Sequence, residues 1–340
     1  MLNQIMQSRL RGVMLLAIIL ILAPALFANP FHYELAIQVA IVAATVVGLN
    51  LLVGFAGQIS LGHAGFFGLG AYFSGIATGT YGWPSIPALI AGAIAVGLVA
   101  WIVGRPILRL KGHYLSMATL AVGFIIAIIL ENERALTGGP DGMSVPPLEV
   151  FGWQLSTFGR YSLFGLEISG VQAWYMVAGV LLVIATWFAL NIIESPIGRA
   201  LRSLKGSEVA AGVVGVNTTK YKSLVFVVSA VYASIMGGIY AHFQGFITPD
   251  LASFDFSIVL ITMVVIGGMG STFGVILGAV VIELLPQALA DFQELEMAMF
   301  GLILMLTMIF MPKGLLPTLN TVVSKITRKK AAEVRHDSTG

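Results

Sequence analysis

An all-α, polytopic membrane fold of about ten spans is what this sequence predicts, and three observations predict it. Apolar residues make up 58% of the chain and charged residues 10%, with a mean hydropathy of +0.94. An average soluble domain carries about 25% charged residues, so a water-facing surface for 340 residues cannot be built from so few. The apolar residues fall into runs that approach the roughly 20 residues a helix needs to cross a bilayer. The basic residues collect in alternate connections between those runs, as cytoplasmic loops do.

Taken in order, the runs place spans at 13–28, 34–53, 64–79, 86–104, 114–131, 171–192, 223–242, 257–269, 272–286 and 297–312. The first, within Met1–Pro30, also has the layout of a cleavable signal, with Ala28 near a plausible cleavage point. A retained first span is the expected state, because removal would disturb the charge pattern. The span at 64–79 is interrupted by glycines, and 257–269 and 272–286 are too short to cross as straight helices. Broken helices of that kind are tolerated where protein or a water-filled cavity covers the backbone, and they often line substrate paths.

The run Ser257–Pro286 reads as one long span or two short ones. Gly267, Gly268, Gly270 and Ser271 interrupt it, and the basic residues choose two. With two spans, Arg9, Arg11, Arg105, Arg109, Lys111, Arg199, Arg202, Lys205, Lys220, Lys222, Lys313 and the tail Lys325, Arg328, Lys329, Lys330 and Arg335 share one side. Only Arg134 and Arg160 fall on the other. Both termini are then cytoplasmic, residues 1–320 form the membrane domain, and 321–340 is a basic cytoplasmic tail. The longest external loop, 132–170, carries strong turn chemistry in Thr137-Gly138-Gly139-Pro140-Asp141-Gly142 and Pro146-Pro147.

Three segments can carry function. The cytoplasmic connection 194–222 opens at Ser195-Pro196, predicting a helix over Ile197–Leu204 and a second over Ser207–Val214, ended by Gly212 and Gly215. Its small residues would let another surface approach; an ordinary basic inner loop would have the same composition. The block GFAGQISLGHAGFFGLGAY, Gly54–Tyr72, holds six glycines in its first 17 residues, which argues against a regular helix there. Gln58, Ser60 and His63 sit among them, either beside a translocation path or satisfied inside close helix packing. Gly270, Gly274 and Gly278 recur at every fourth position, the spacing of backbone-to-backbone helix packing. Glu283, the main carboxylate inside an apolar run, is a satisfied polar residue or a proton or cation site.

Several chemistries are excluded. Cysteine is absent, and His63 has no partner at ligand spacing, so no metal site or cofactor is expected. A net charge of +2 does not indicate nucleic acid. There is no Gly-Lys dipeptide and hence no Walker A loop, and neither H-E-x-x-H nor G-x-S-x-G occurs.

At GFAGQISLGHAGFFGLGAY the chain resembles the LivM-type permeases of branched-chain amino acid ABC importers. The likeness continues through LKGHYLSMATLAVGF, LTGGPDGM, ESPIGRALRS, SEVAAGVVGVN, GGMGSTFGVILGA and MPKGLLP. It implies a type II importer permease in a bacterial-type inner membrane. The implied partners are a second, related permease subunit, two cytoplasmic ATPase subunits and an external solute-binding protein. It implies alternating access driven by ATP that other chains bind. It also makes Glu208, Ala210, Ala211 and Gly215 the ATPase-coupling candidates, by likeness to the Glu-Ala-Ala…Gly pattern of ABC importers, with Val209 interrupting it here. Related permeases import urea and aromatic acids, so the cargo stays open on sequence. An ion-coupled secondary transporter using Glu283 or His63 is the reading from a different class.

Overall fold

Caps written into the sequence set where the helices begin. The computed structural model describes residues 2–289 apart from 151, 164 and 165, and positions 299, 301, 302, 305, 306, 309, 314, 315 and 318. All but isolated positions of the tenth predicted span, and the tail 321–340, lie outside the described residues. Helix α1 (Leu2–Leu22) leads to α2 (Pro30–Asn50), whose Pro30 fits the first turn because its missing N–H would have no partner there. A π-helical turn, Leu51–Phe55, extends α2. Then follow α3 (His63–Gly79), α4 (Ser85–Ile107), α5 (His113–Asn132) and the single turn α6 (Arg134–Thr137).

Helix α7 (Gly170–Glu194) starts with a capping box, in which Ser169 and Gln172 each bond the other's backbone N–H. Ser195, Ser207, Asn217 and Ser253 cap α8 (Pro196–Gly206), α9 (Glu208–Val213), α10 (Thr218–Gln244) and α11 (Phe254–Gly267). Gly245, at φ 70°, closes α10 in the left-handed conformation that a residue without Cβ adopts freely. The last described helix is α12 (Thr272–Leu289).

Nine of the predicted spans therefore overlap helices, the first of them, 13–28, running past the end of α1 at Leu22 into the 3₁₀ turn Ala23–Leu26. Helices α2, α4, α5, α7, α10 and α12 are long and apolar enough to cross a bilayer, whereas α11 is short. Its 14 residues rise roughly 21 Å against a hydrocarbon core of about 30 Å. The apolar window of α2 is 83% buried and that of α5 only 28%, so α2 is a central post and α5 lies at the rim. Exposed Ile90, Ile94 and Leu98 on α4, and Ile125, Ile128 and Ile129 on α5, give these helices apolar outer faces.

Two sequence expectations are corrected. The glycine density of 54–72 argues against a regular helix, yet α3 is regular from His63 to Gly79 and the irregular stretch is confined to 57–62. Tertiary packing overrides propensity here. A methyl group at Gly68 would press on Ala252, and one at Gly70 would overlap the backbone of Ser234 in α10. The loop 132–170, read as turns alone, also contains strands. These are β1 (Met143–Ser144), β2 (Leu148–Val150), β3 (Trp153–Leu155), β4 (Arg160–Leu163) and β5 (Leu166–Ser169). β2 pairs with β3 and β4 with β5, all antiparallel, while β1 pairs with β6 (Phe246–Ile247) beyond α10. The predicted turn glycines Gly138, Gly139 and Gly142 all have positive φ.

The turn between α11 and α12 lies at the same end of the bundle as α8 and the end of α2, because Gly270 bonds Asn50 and Lys205 of α8 bonds Gly54. The β-ladders occupy the opposite end.

Candidate functional site

Where α2 ends, the backbone ladder fails in a defined way. A continuing α-helix would give the Gln58 N–H to Gly54; it goes instead to the Leu52 carbonyl at 3.1 Å. Gly57 turns the chain at φ 70°, and residues 57–62 run without helix. Side chains from other helices take up the exposed backbone groups. Thr119 Oγ1 accepts from the Leu61 N–H at 3.1 Å, and Ser116 Oγ donates to the Ile59 carbonyl at 3.3 Å. Ser257 Oγ accepts from the Ala64 N–H at 3.0 Å. Lys205 Nζ, from α8, donates to the Gly54 carbonyl at 2.6 Å.

Of the predicted path residues, Gln58 and Ser60 lie in this break and His63 opens α3 beside it. Gln58, Ser60 and His63 are all buried, and His63 Nε2 meets Ser229 Oγ of α10 at 3.2 Å. Both polar atoms of Gln58, Ser60 Oγ and His63 Nδ1 have no hydrogen-bond partner among the described residues. A buried polar atom left unpaired costs about 1–3 kcal/mol, so these groups favour water or a polar solute over lipid. Gln58 lines a polar cavity of about 110 Å³ together with Lys111, Lys205, Glu208 and Lys222. The break and the α8–α9 segment therefore share one small chamber.

The predicted coupling residues separate into two groups. Glu208 Oε2 pairs with Lys222 Nζ at 2.6 Å and Ala211 is buried, so both hold α9 onto the bundle. Ala210 and Gly215 are exposed. So are Val209, Val213 and Val214, at 70%, 83% and 76%, which the sequence reading missed. Three valines offered outward in a basic loop were the available signal. Gly215 (φ 86°) also lines an open cavity of about 550 Å³ with Arg199, Ser203 and Lys220. Helix α8 buries Gly198, Ala200, Leu201 and Leu204, and Arg202 Nη1 donates to the Ile193 carbonyl at the end of α7.

The glycines at 270, 274 and 278 also separate. Gly274 and Gly278 lie where α12 folds back on α11; a methyl group there would overlap the carbonyls of Gly267 and Met263. Gly270 sits in the connecting turn at φ 90°, and its N–H donates to Asn50 Oδ1 at 3.0 Å. Asn50, a lone amide at the end of a long apolar run, was a legible signal that the sequence reading did not use. Glu283 is partly buried on α12, near Tyr240. Among the described residues no three His, Asp or Glu side chains gather as a metal site.

Among the described residues the geometry is a packed bundle with a break after α2, a second at the α11–α12 turn and an exposed helical pair at the same end; comparison with known proteins gives its class. The family described as the permease component of the branched-chain amino acid transport system matches residues 32–311. The chain belongs to this permease family. It is 37% identical over 286 residues to the high-affinity branched-chain amino acid transport system permease protein LivM of Escherichia coli K12, an alignment covering 80% of this chain and 66% of that protein. It thus spans just under two thirds of that relative's length. The LivH permease protein of the same strain is 27% identical over 81% of this chain and 90% of its own length. A probable LivM permease of Methanocaldococcus jannaschii is 24% identical over 79% of this chain and 82% of its own. No solved structure matches the chain.

Proposed function

We propose that the chain is the membrane permease subunit of an ATP-driven importer of branched-chain amino acids. The observation that carries this reading is the α8–α9 segment. It is held against the broken end of α2, and its outer surface presents Val209, Val213 and Val214 at the bundle end where the loop lysines and arginines gather. Such a surface suits a soluble partner that moves. The chain has no Walker A loop, so two cytoplasmic ATPase subunits supply the ATP chemistry. Similarity to both LivM and LivH of one strain supports assembly with a second, related permease subunit. An external solute-binding protein delivers the amino acid at the end carrying the β-ladders.

The topology of this reading is ten spans with both termini cytoplasmic, in a bacterial-type inner membrane, in a type II importer arrangement. The membrane domain is 1–320 and the basic tail 321–340. Alternating access follows if ATP binding favours one arrangement of the permease pair over the other; a ligand shifts an equilibrium only by its differential affinity. A zwitterionic amino acid needs a wet path, because its ammonium and carboxylate are costly in lipid. Gln58, Ser60 and His63, with polar atoms left unpaired among the described residues, border that path.

The test is uptake of radiolabelled leucine into proteoliposomes holding this chain with its partner permease and ATPases. Uptake should need both ATP on the ATPase side and the binding protein outside. Binding-protein-stimulated ATP hydrolysis with urea or another solute, but not leucine, would change the cargo. Uptake by this chain alone with an ion gradient would replace the reading with a secondary transporter.

A further inference from the structure

Two interruptions of the bundle, the π-turn and break after α2 and the Gly268–Ser271 turn between α11 and α12, meet at one point, and one side chain from the cytoplasmic segment is seated there. Asn50 Oδ1 accepts from the Gly270 N–H at 3.0 Å, joining the first interruption to the second. Gly54 lies in the same contact: a methyl group on it would overlap Asn50 Oδ1 and the Gly270 N. Lys205 Nζ donates to the Gly54 carbonyl at 2.6 Å and lies 3.7 Å from where a Gly270 side chain would start. The Lys205 stem packs along Gly57, where the chain reverses.

The chemistry favours a cation in this position. The Gly54 carbonyl has lost its helical N–H, and the end of a helix carries partial negative charge. A charge-assisted hydrogen bond is shorter and stronger than a neutral one, consistent with 2.6 Å. Buried Leu201 and Leu204 and the Arg202 contact to Ile193 seat α8 on the bundle, so the position of Lys205 follows that of α8.

We infer that Lys205 is the positioning residue that transmits movement of the α8–α9 segment to both interruptions at once. This deepens the functional reading above and rests on it. Displacing α8 draws on the Gly54 carbonyl; Asn50 carries the same displacement to Gly270 and so to the α11–α12 hairpin. Both broken elements thus answer to one input.

The experiment uses the reconstituted complex of this chain, its partner permease, ATPases and binding protein. In Lys205→Met the stem stays and the donor goes; leucine imported per ATP hydrolysed should fall about tenfold or more, and Lys205→Arg should recover most of it. Arg109→Met, which removes an exposed charge from the same end, should keep the wild-type ratio. A wild-type ratio in Lys205→Met overturns the inference while leaving the functional reading intact; a wild-type complex that imports nothing overturns the functional reading. If Lys205→Met fails to assemble, hydrogen exchange on the wild-type complex decides. Amides of 54–62 and 268–274 should change protection together when the ATPases are locked with a non-hydrolysable ATP analogue, and no change in either segment overturns the inference.

Discussion

At the scale of single residues, the energetics are governed by polar groups that cannot reach bulk water. Lys222 is buried and its partner Glu208 is a third exposed, so the pair is held by geometry as much as by charge. Removing one partner leaves a buried ammonium unpaired, so Glu208→Gln should destabilise the permease by about 1–3 kcal/mol. Adding Lys222→Met should restore most of the loss, because two apolar groups need no partner; thermal unfolding in detergent reads both. His242 shows the same logic at the other end. A carbonyl can only accept, so its Nδ1 donates to the Pro146 carbonyl at 2.8 Å and its Nε2 accepts from Ser74 Oγ at 2.9 Å. His242→Phe keeps the bulk and drops both bonds. Hydrogen exchange across 143–150 should then rise about tenfold or more, and unchanged exchange would show that the ladder β1–β6 holds this loop alone.

At the scale of elements, the α11–α12 hairpin tests close packing against propensity. Alanine is worth about 1 kcal/mol over glycine inside a helix, so Gly→Ala stabilises wherever space is free. At Gly278 the added methyl meets the Met263 carbonyl, which cannot rotate away, and overpacking costs about 1–3 kcal/mol or more. Gly278→Ala should therefore lower the melting temperature while Gly212→Ala, with open space around it, should not. Long elements were legible in the sequence because an apolar run near 20 residues has few other meanings. The start of α3 was not, because six glycines look like a broken segment until their neighbours Ser234, Ala252 and Gly123 are known. The strands at 143–169 were hidden too: they run two to four residues, and one pairs with a segment beyond α10. Of the candidate site, Gln58, Ser60 and His63 could be read as polar groups in an apolar block. Lys205 could not be told from the other loop lysines, since its role depends on a carbonyl 151 residues away.

At the scale of the whole molecule, the two ends differ in charge and in architecture. The turn 268–271, the break after α2 and the α8–α9 pair share the end with the loop lysines and arginines. The short hairpins and the 3₁₀ turn Pro249–Ala252 lie towards the other. This arrangement predicts where reporters read. A tag inserted at Phe158, which is 98% exposed, should be reached from outside intact cells, as should one at Glu294; a tag at Gly212 should be reached only after the membrane is opened. A cytoplasmic signal from Glu294 would remove the ten-span arrangement while leaving the described helices as they are.

The meeting of Asn50 with Gly270 has a consequence for biogenesis. The two residues are 220 positions apart, and His63 waits 166 positions for Ser229. At about 5–20 residues per second of synthesis, Asn50 leaves the ribosome roughly 10–40 s before its partner exists. Through that interval the polar groups of the α2–α3 break are in or near the bilayer without the helices that later satisfy them. Such groups are costly in lipid, so a hydrated setting favours the nascent chain until α10 to α12 arrive. Truncation before α10 should leave a fragment that quality-control proteases remove.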